Sequence, residues 1–239
     1  MKKKDSYIIG LDEVGRGALA GPVVVAAAAI SKEATREIIG AEKILGKLKD
    51  SKELSPGKRE EWLEYFEKSS NIAFVSARIY PRGIEKLNIS KAANKAALSA
   101  YVRLVASGWS YIGKHKIFLD GGLYLGGKNY SSKVGYFRKE IKTAKTVIKG
   151  DEKITAIKIA SIVAKVSRDS YMRRLAKKYP KYGFDVHKGY GTKAHFLAIK
   201  TYGKSSVHRK TFINRTCFIH GVVANKIFAA EKMESILSC

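Results

Sequence analysis

The sequence predicts an α/β chain: a central mixed β-sheet flanked by helices, followed by a C-terminal helical segment. Three features predict it. Two apolar strands come first, joined by a glycine-rich turn; later strands are separated by helical stretches; and beyond about residue 180 no clear strand pattern follows. Strands that open as a hairpin and then alternate with helices are the pattern of a mixed sheet. A length of 239 residues fits one large domain, or a domain with a small appendage. It is enough chain to bury a core without staples.

Tyr7-Ile8-Ile9-Gly10-Leu11 is short and apolar, a buried strand. Gly15, Gly17, Gly21 and Pro22 punctuate the turn before a second strand, Val23 to Ile30. Ser55-Pro56 starts a helix, with serine as N-cap and proline at its first position. Ile72 to Ile79 alternates partially, as a strand does, and Ser90 to Ala106 is an alanine-rich helix stopped by Ser107-Gly108. Lys116 to Asp120 and Lys142 to Ile148 are further strands. Ile154 to about Tyr179 is a long helix closed by Pro180, with Ile157, Ala160, Ala164, Tyr171 and Leu175 near one face. Helices over Lys193 to about Tyr202 and about Val223 to Leu237 complete the chain. The expected division is a main domain over 1–180 with a helical segment, 181–239, packed on it.

Lysine and arginine number 46 against 21 acids, a net charge of +25 that points to a polyanionic partner. Cys217 and Cys239 cannot form a disulfide framework, and without a CxxC there is no cysteine-type zinc site. The lysines at the start resemble the head of a signal peptide, but Asp5, Asp12 and Glu13 interrupt the required apolar stretch. The longest apolar run, Ala18 to Ile30, is too short to span a bilayer. The expectation is a soluble cytoplasmic monomer without membrane association.

Most acids sit among lysines, as solvated surface does. Four do not. Asp12 and Glu13 follow directly on the first apolar strand, Asp120 ends the strand Ile117–Leu119, and Asp151 stands between a strand and the long helix. Strand ends are where α/β sheets build sites, and a carboxylate there is costly to bury without a cation or donor. Acids converging on one point repel, and a hard divalent cation such as magnesium or manganese relieves them. Asp151 could instead cap the helix, and Asp120 could be a turn residue. Gly15-Arg16-Gly17 lets backbone come close to a ligand, with arginine as a fork for phosphate or carboxylate. In His187-Lys188-Gly189-Tyr190-Gly191-Thr192 the tyrosine between glycines has a ring face to offer a sugar or base, unless it packs in its loop. Asp50-Ser51-Lys52 could hold a phosphate through Ser51 and Lys52, or cap the next helix.

Together these segments resemble the type 2 ribonucleases H. Asp12-Glu13-Val14-Gly15-Arg16-Gly17 with Ala20-Gly21-Pro22 is similar to the family's opening motif, and Asp50-Ser51-Lys52 to its second. Phe118-Leu119-Asp120-Gly121 resembles the third; Lys149-Gly150-Asp151, Ala160 to Val166 and Arg168-Asp169 resemble the fourth; Lys188 to Thr192 resembles the fifth. The early position of Asp12 favours the ribonuclease HII branch over ribonuclease HIII, whose N-terminal domain is not expected. The resemblance implies an RNase H-like fold and endonucleolytic cleavage of RNA in RNA–DNA hybrids and of duplex DNA carrying single ribonucleotides. The cut falls 5′ of the ribonucleotide and leaves a 3′-OH and a 5′-phosphate. It implies Asp12, Glu13, Asp120 and Asp151 as catalytic metal ligands, Gly15, Arg16 and Gly17 at the ribose 2′-OH, and Tyr190 at the junction. The implied cofactor is Mn2+ or Mg2+. Two departures stand out: a long stretch between Asp120 and Asp151, with Asp169 as the fallback ligand, and Glu53 where a basic residue is common.

The chemistry agrees. Phosphodiester hydrolysis needs charge neutralised on non-bridging and departing oxygens and an acidified water, which two ions about 4 Å apart supply. No histidine is then needed as base, so His187 is expected in a loop, and His115, His195, His208 and His220 in structural or surface places. Competing readings are a resolvase-type metal nuclease of the same fold, and a non-catalytic binder using only the basic charge.

Overall fold

A computed structural model of the chain describes residues 7–109, 115–125, 141 and 143–214. The helix expected over 223–237, Cys217, Cys239 and His220 lie outside the described residues. The opening hairpin is β1 (Tyr7–Val14) and β2 (Val23–Ile30), antiparallel with Ile8 opposite Ile30 and Val14 opposite Val24. β3 (Ile72–Ile79) adds antiparallel to β2, while β4 (His115–Asp120) and β5 (Lys145–Val147) run parallel on the other side of β1. Among the described residues the strands form one mixed sheet, ordered β3-β2-β1-β4-β5. Because β1, β4 and β5 are parallel, Asp12, Asp120 and the chain leaving β5 emerge at the same end.

The helices are α1 (Lys32–Leu45), α2 (Pro56–Lys68), α3 (Pro81–Leu87), α4 (Ile89–Leu104), α5 (Gly150–Lys153), α6 (Thr155–Lys178), α7 (Phe184–His187) and α8 (Lys193–Tyr202). Ser55 accepts from the Lys58 N–H and Pro56 opens α2, as the sequence predicts. α1 has no counterpart in the sequence reading; its buried residues Ala34, Ile38 and Ala41 keep helical spacing within a charged surface. The strand expected from Lys142 shortens to Lys145–Val147, and the one-turn α5, carrying Asp151, precedes the long helix.

The sheet is covered on both faces. Ile9, Leu11, Val23 and Val25 meet the alanine face of α4, whereas Ala26 and Ala28 meet Ala156, Ala160 and Ala164 of α6. Small side chains let α6 lie very close to the sheet. The limit is Gly10 in β1, where a Cβ would stand 2.3 Å from the Ala156 carbonyl carbon and 2.4 Å from the Ile157 nitrogen. Backbone cannot turn aside as a side chain can. Gly10→Ala is therefore expected to lower stability by about 1–3 kcal/mol or more. Gly40→Ala, exposed in α1 with open space at its Cβ, should be neutral or stabilising by up to about 1 kcal/mol. Urea unfolding of the two variants checks the contrast; equal stabilities would show that α6 does not rest on β1.

Candidate active site

Successive side chains in a strand face opposite sides, so Asp12 and Glu13 leave the end of β1 in different directions. Asp12 shares its face with Gly10 and looks toward α6. It is buried, its Oδ1 accepts the Glu13 N–H at 2.7 Å, and the Ser161 hydroxyl of α6 stands beside it. Ser161 Oγ also lies 2.8 Å from Ser51 Oγ and donates to Asp50 Oδ1 at 3.2 Å. Glu13 looks toward α4. Its Oε1 takes Arg16 Nη1 at 3.0 Å, while Oε2 is buried with no hydrogen-bond partner among the described residues. Arg16 in turn reaches Ser90 Oγ at 3.1 Å, at the start of α4.

Asp120, at the end of β4, accepts the Gly150 N–H at 2.7 Å. That bond fixes the turn into α5 and brings Asp151 to the same end of the sheet. Asp151 is buried, with Lys52 Nζ 3.4 Å from its Oδ2 and 3.6 Å from Asp50 Oδ2. Burial pushes the Asp12 carboxyl well above the usual range, and the charges of Glu13 and Asp120 push the same way against the Ser161 hydrogen bond. Burial likewise raises Glu13, with Asp120 adding and Arg16 opposing. Asp151 is raised by burial, then by Asp120 and Asp50, with Lys52 opposing. Asp120 thus acts on all three other acids. Among the described residues no three acids, histidines or cysteines close into a metal-binding group. Each carboxylate instead takes a partner from the protein: an N–H, Arg16 or Lys52.

The loops around the acids are held by buried arginines. Arg168 of α6 donates to the Pro22 carbonyl at 3.0 Å and the Ala20 carbonyl at 3.2 Å. Arg209 donates to the carbonyls of Gly15 (2.7 Å), Arg16 (2.9 Å) and Gly21 (3.0 Å). Gly15 has φ +83°, and a Cβ there would sit 2.1 Å from Arg168 Nε. Gly17 is exposed with open space around it. Arg59 holds the second loop through the Ser51 and Leu54 carbonyls at 2.7 and 2.6 Å. Ser51 is buried in the Asp50–Ser161 network, while the Lys52 side chain is 81% exposed. The tyrosine loop is stitched to the first loop: Leu19 and Ala20 donate to the Gly189 carbonyl at 2.8 and 3.2 Å. The Tyr190 ring lies 5.1 Å from the Arg168 guanidinium.

Residues 9–220 match the sequence profile of the family described as Ribonuclease HII. The chain belongs to the ribonuclease HII family. Its members are endoribonucleases. The Ribonuclease HII of Pelagibacter ubique is 40% identical over 205 residues, covering 86% of this chain and 95% of that one. The ribonuclease H2 of Pyrococcus horikoshii superposes with a TM-score of 0.60 at 26% identity, over 86% of this chain and 93% of that one. Bst-RNase HIII in complex with Mn2+ shares the fold, with a TM-score of 0.59 at 22% identity over 86% of this chain and 64% of that one.

The sequence marks the acids and the loops, not what holds them. Arg59 and Arg209 look like surface cations in a lysine-rich chain, and only the structure shows them buried. Asp169, the fallback ligand, pairs with Lys165 at 2.9 Å and lies 3.9 Å from Arg59, an ion-pair role. The acids themselves carry a stability cost. A carboxyl whose folded value is raised above its unfolded one destabilises the fold increasingly as pH rises from the unfolded value toward the folded one, and burial places Asp12 in this class. Asp12→Asn is thus expected to raise Tm at pH 7.5 in EDTA. Calorimetry checks it, and an unchanged or lower Tm would show that the Asp12 charge is already compensated.

Proposed function

We propose that the chain is a metal-dependent endonuclease that hydrolyses the phosphodiester 5′ of a ribonucleotide. The substrates are RNA–DNA hybrids and duplex DNA with embedded ribonucleotides, and the products are a 3′-OH and a 5′-phosphate. The observation that carries this reading is the mutually charged set Asp12, Glu13, Asp120 and Asp151 with one buried oxygen, Glu13 Oε2, left without a partner among the described residues. An unpartnered buried carboxylate oxygen among like charges fits a divalent cation. A non-catalytic basic binder has no use for it.

In this reading Asp12, Glu13, Asp120 and Asp151 hold Mg2+ or Mn2+. The divalent ions, in a two-metal arrangement, supply charge neutralisation and an acidified water. The Mn2+ complex of a ribonuclease HIII of the same fold supports the choice of ion. The remaining work belongs to the chain. Ser161 and the Glu13 N–H hold Asp12, and the Gly150 N–H holds Asp120. Lys52, exposed between Asp50 and Asp151, can exchange those partners for a phosphate, and Ser51, bonded to Ser161, fixes the loop that carries it. Gly15 and Gly17 give close backbone approach to a 2′-OH, the group that separates RNA from DNA. Arg16, bound to Glu13, sits where loop and phosphate meet. Tyr190 packs against the neighbouring sugar. Residues 1–180 form the catalytic domain and 181–239 the segment that carries Tyr190. The +25 charge draws the duplex in.

A nicking assay on labelled duplexes tests this, comparing one embedded ribonucleotide, a long hybrid and ribose-free DNA, with Mg2+ or Mn2+. Cleavage is expected only 5′ of ribose, and not in EDTA. Tyr190→Ala should lower kcat/KM on the single-ribonucleotide duplex about 5- to 100-fold relative to the hybrid, the range of one lost aromatic–nucleotide contact. Cutting of ribose-free DNA, or cutting in EDTA, would overturn the reading.

A further inference from the structure

Three histidines that the chemistry above does not use are packed together beneath the tyrosine loop. His195 and His208 are buried, and their Nε2 atoms are 3.1 Å apart. His187 stacks on His195 with ring centroids 4.3 Å apart, and Phe184 meets His195 edge-on.

The outer partners fix every proton in this chain. The Ser205 main-chain N–H, which can only donate, points to His208 Nδ1 at 3.0 Å, and the Ser205 hydroxyl joins it at 2.8 Å. His208 Nδ1 is therefore bare, and a neutral His208 carries its proton on Nε2. That proton can only go to His195 Nε2, which is therefore also bare. His195 then carries its proton on Nδ1, 2.9 Å from the Tyr190 carbonyl, which can only accept. Donors and acceptors match from end to end in one protonation state. Adding a proton to either ring would set N–H against N–H. Burial pushes both imidazoles down to about 4, so at neutral pH that single state holds.

We propose that His208 and His195 are positioning residues for Tyr190: a hydrogen-bonded relay that fixes the tyrosine's main chain from Ser205 and thereby sets the preference for single-ribonucleotide duplexes. This rests on the reading of Tyr190 as the residue that packs on the sugar beside the cut. The geometry gives the relay a second tie. Arg209, next to His208, holds the carbonyls of Gly15 and Arg16. One short segment, 205–209, thus locates both loops that face the substrate. The Tyr190 carbonyl keeps a second donor, the Thr192 N–H at 2.9 Å, so removing the relay loosens the tyrosine rather than releasing it.

The test uses the full chain with Mg2+ and reads the ratio of kcat/KM on the single-ribonucleotide duplex to that on the long hybrid. His195→Leu should lower the ratio about 3- to 10-fold, the worth of one net hydrogen bond. His195→Asn, whose amide can still donate to Tyr190, should stay within about twofold of wild type. His208→Asn keeps an acceptor for Ser205 but loses the donor to His195, and should lower the ratio as His195→Leu does. It also serves if the leucine variant does not fold. In a Tyr190→Ala background neither change should lower the ratio further, whereas general structural damage would lower both rates and add to Tyr190→Ala. A ratio moved by Tyr190→Ala but unmoved by His195→Leu and His208→Asn overturns the relay alone. A ratio untouched by Tyr190→Ala overturns the reading of Tyr190 and the role given to the relay with it.

Discussion

Buried carboxylates of like charge repel, and the site end of this sheet is arranged around that constraint. Parallel pairing of β1 with β4 and of β4 with β5 forces Asp12, Asp120 and the approach to Asp151 to one edge. Pleating then separates the neighbours Asp12 and Glu13 onto opposite faces, so one acid meets α6 and the other α4. The result is a cluster in which burial and mutual charge raise Asp12, Glu13 and Asp151 together. A protein selected for stability alone has no reason to keep it; strain of this kind belongs to sites.

What leaves the cluster without a buried counter-charge is the choice of partners made elsewhere. Arg168, Arg209 and Arg59 are buried within reach of the site loops, yet they bond mainly to main-chain carbonyls. Guanidinium on carboxylate would neutralise the acids; guanidinium on carbonyl fixes the loops and leaves the acids' charge uncompensated by these arginines. Arg16 and Lys52, which do touch Glu13, Asp50 and Asp151, are the more exposed cations and the ones a phosphate can draw away. Fixed loops around movable side chains are the arrangement that positions a substrate before reaction.

The fold and the acids were legible because both leave local marks. The hairpin shows as two apolar runs about a glycine turn, and α2 announces itself with Ser55-Pro56. Asp12, Asp120 and Asp151 stand out because carboxylates at the ends of apolar strands are costly. α1 was not legible: three buried residues among many charges are a weak pattern. Nor could the sequence say that Gly10 is where α6 rests or that Gly15 clears Arg168, since both contacts join segments well over a hundred residues apart. His208 and Arg209 are the sharpest case. Adjacent polar residues near the end of a basic chain resemble surface, and only tertiary packing reveals that one faces His195 and the other the Gly15 carbonyl.

The assignment of the four acids is tested most directly by anomalous diffraction from crystals of the full chain grown with Mn2+. The expected result is a Mn2+ peak with oxygens of Asp12, Glu13 and Asp120 at ligand distance, about 2.0–2.6 Å. Asp151 should reach the same or a neighbouring ion, with the Lys52 ammonium displaced from it. Ordered Mn2+ elsewhere on the chain, with Lys52 still between Asp50 and Asp151 and Glu13 Oε2 still unpartnered, would contradict the assignment.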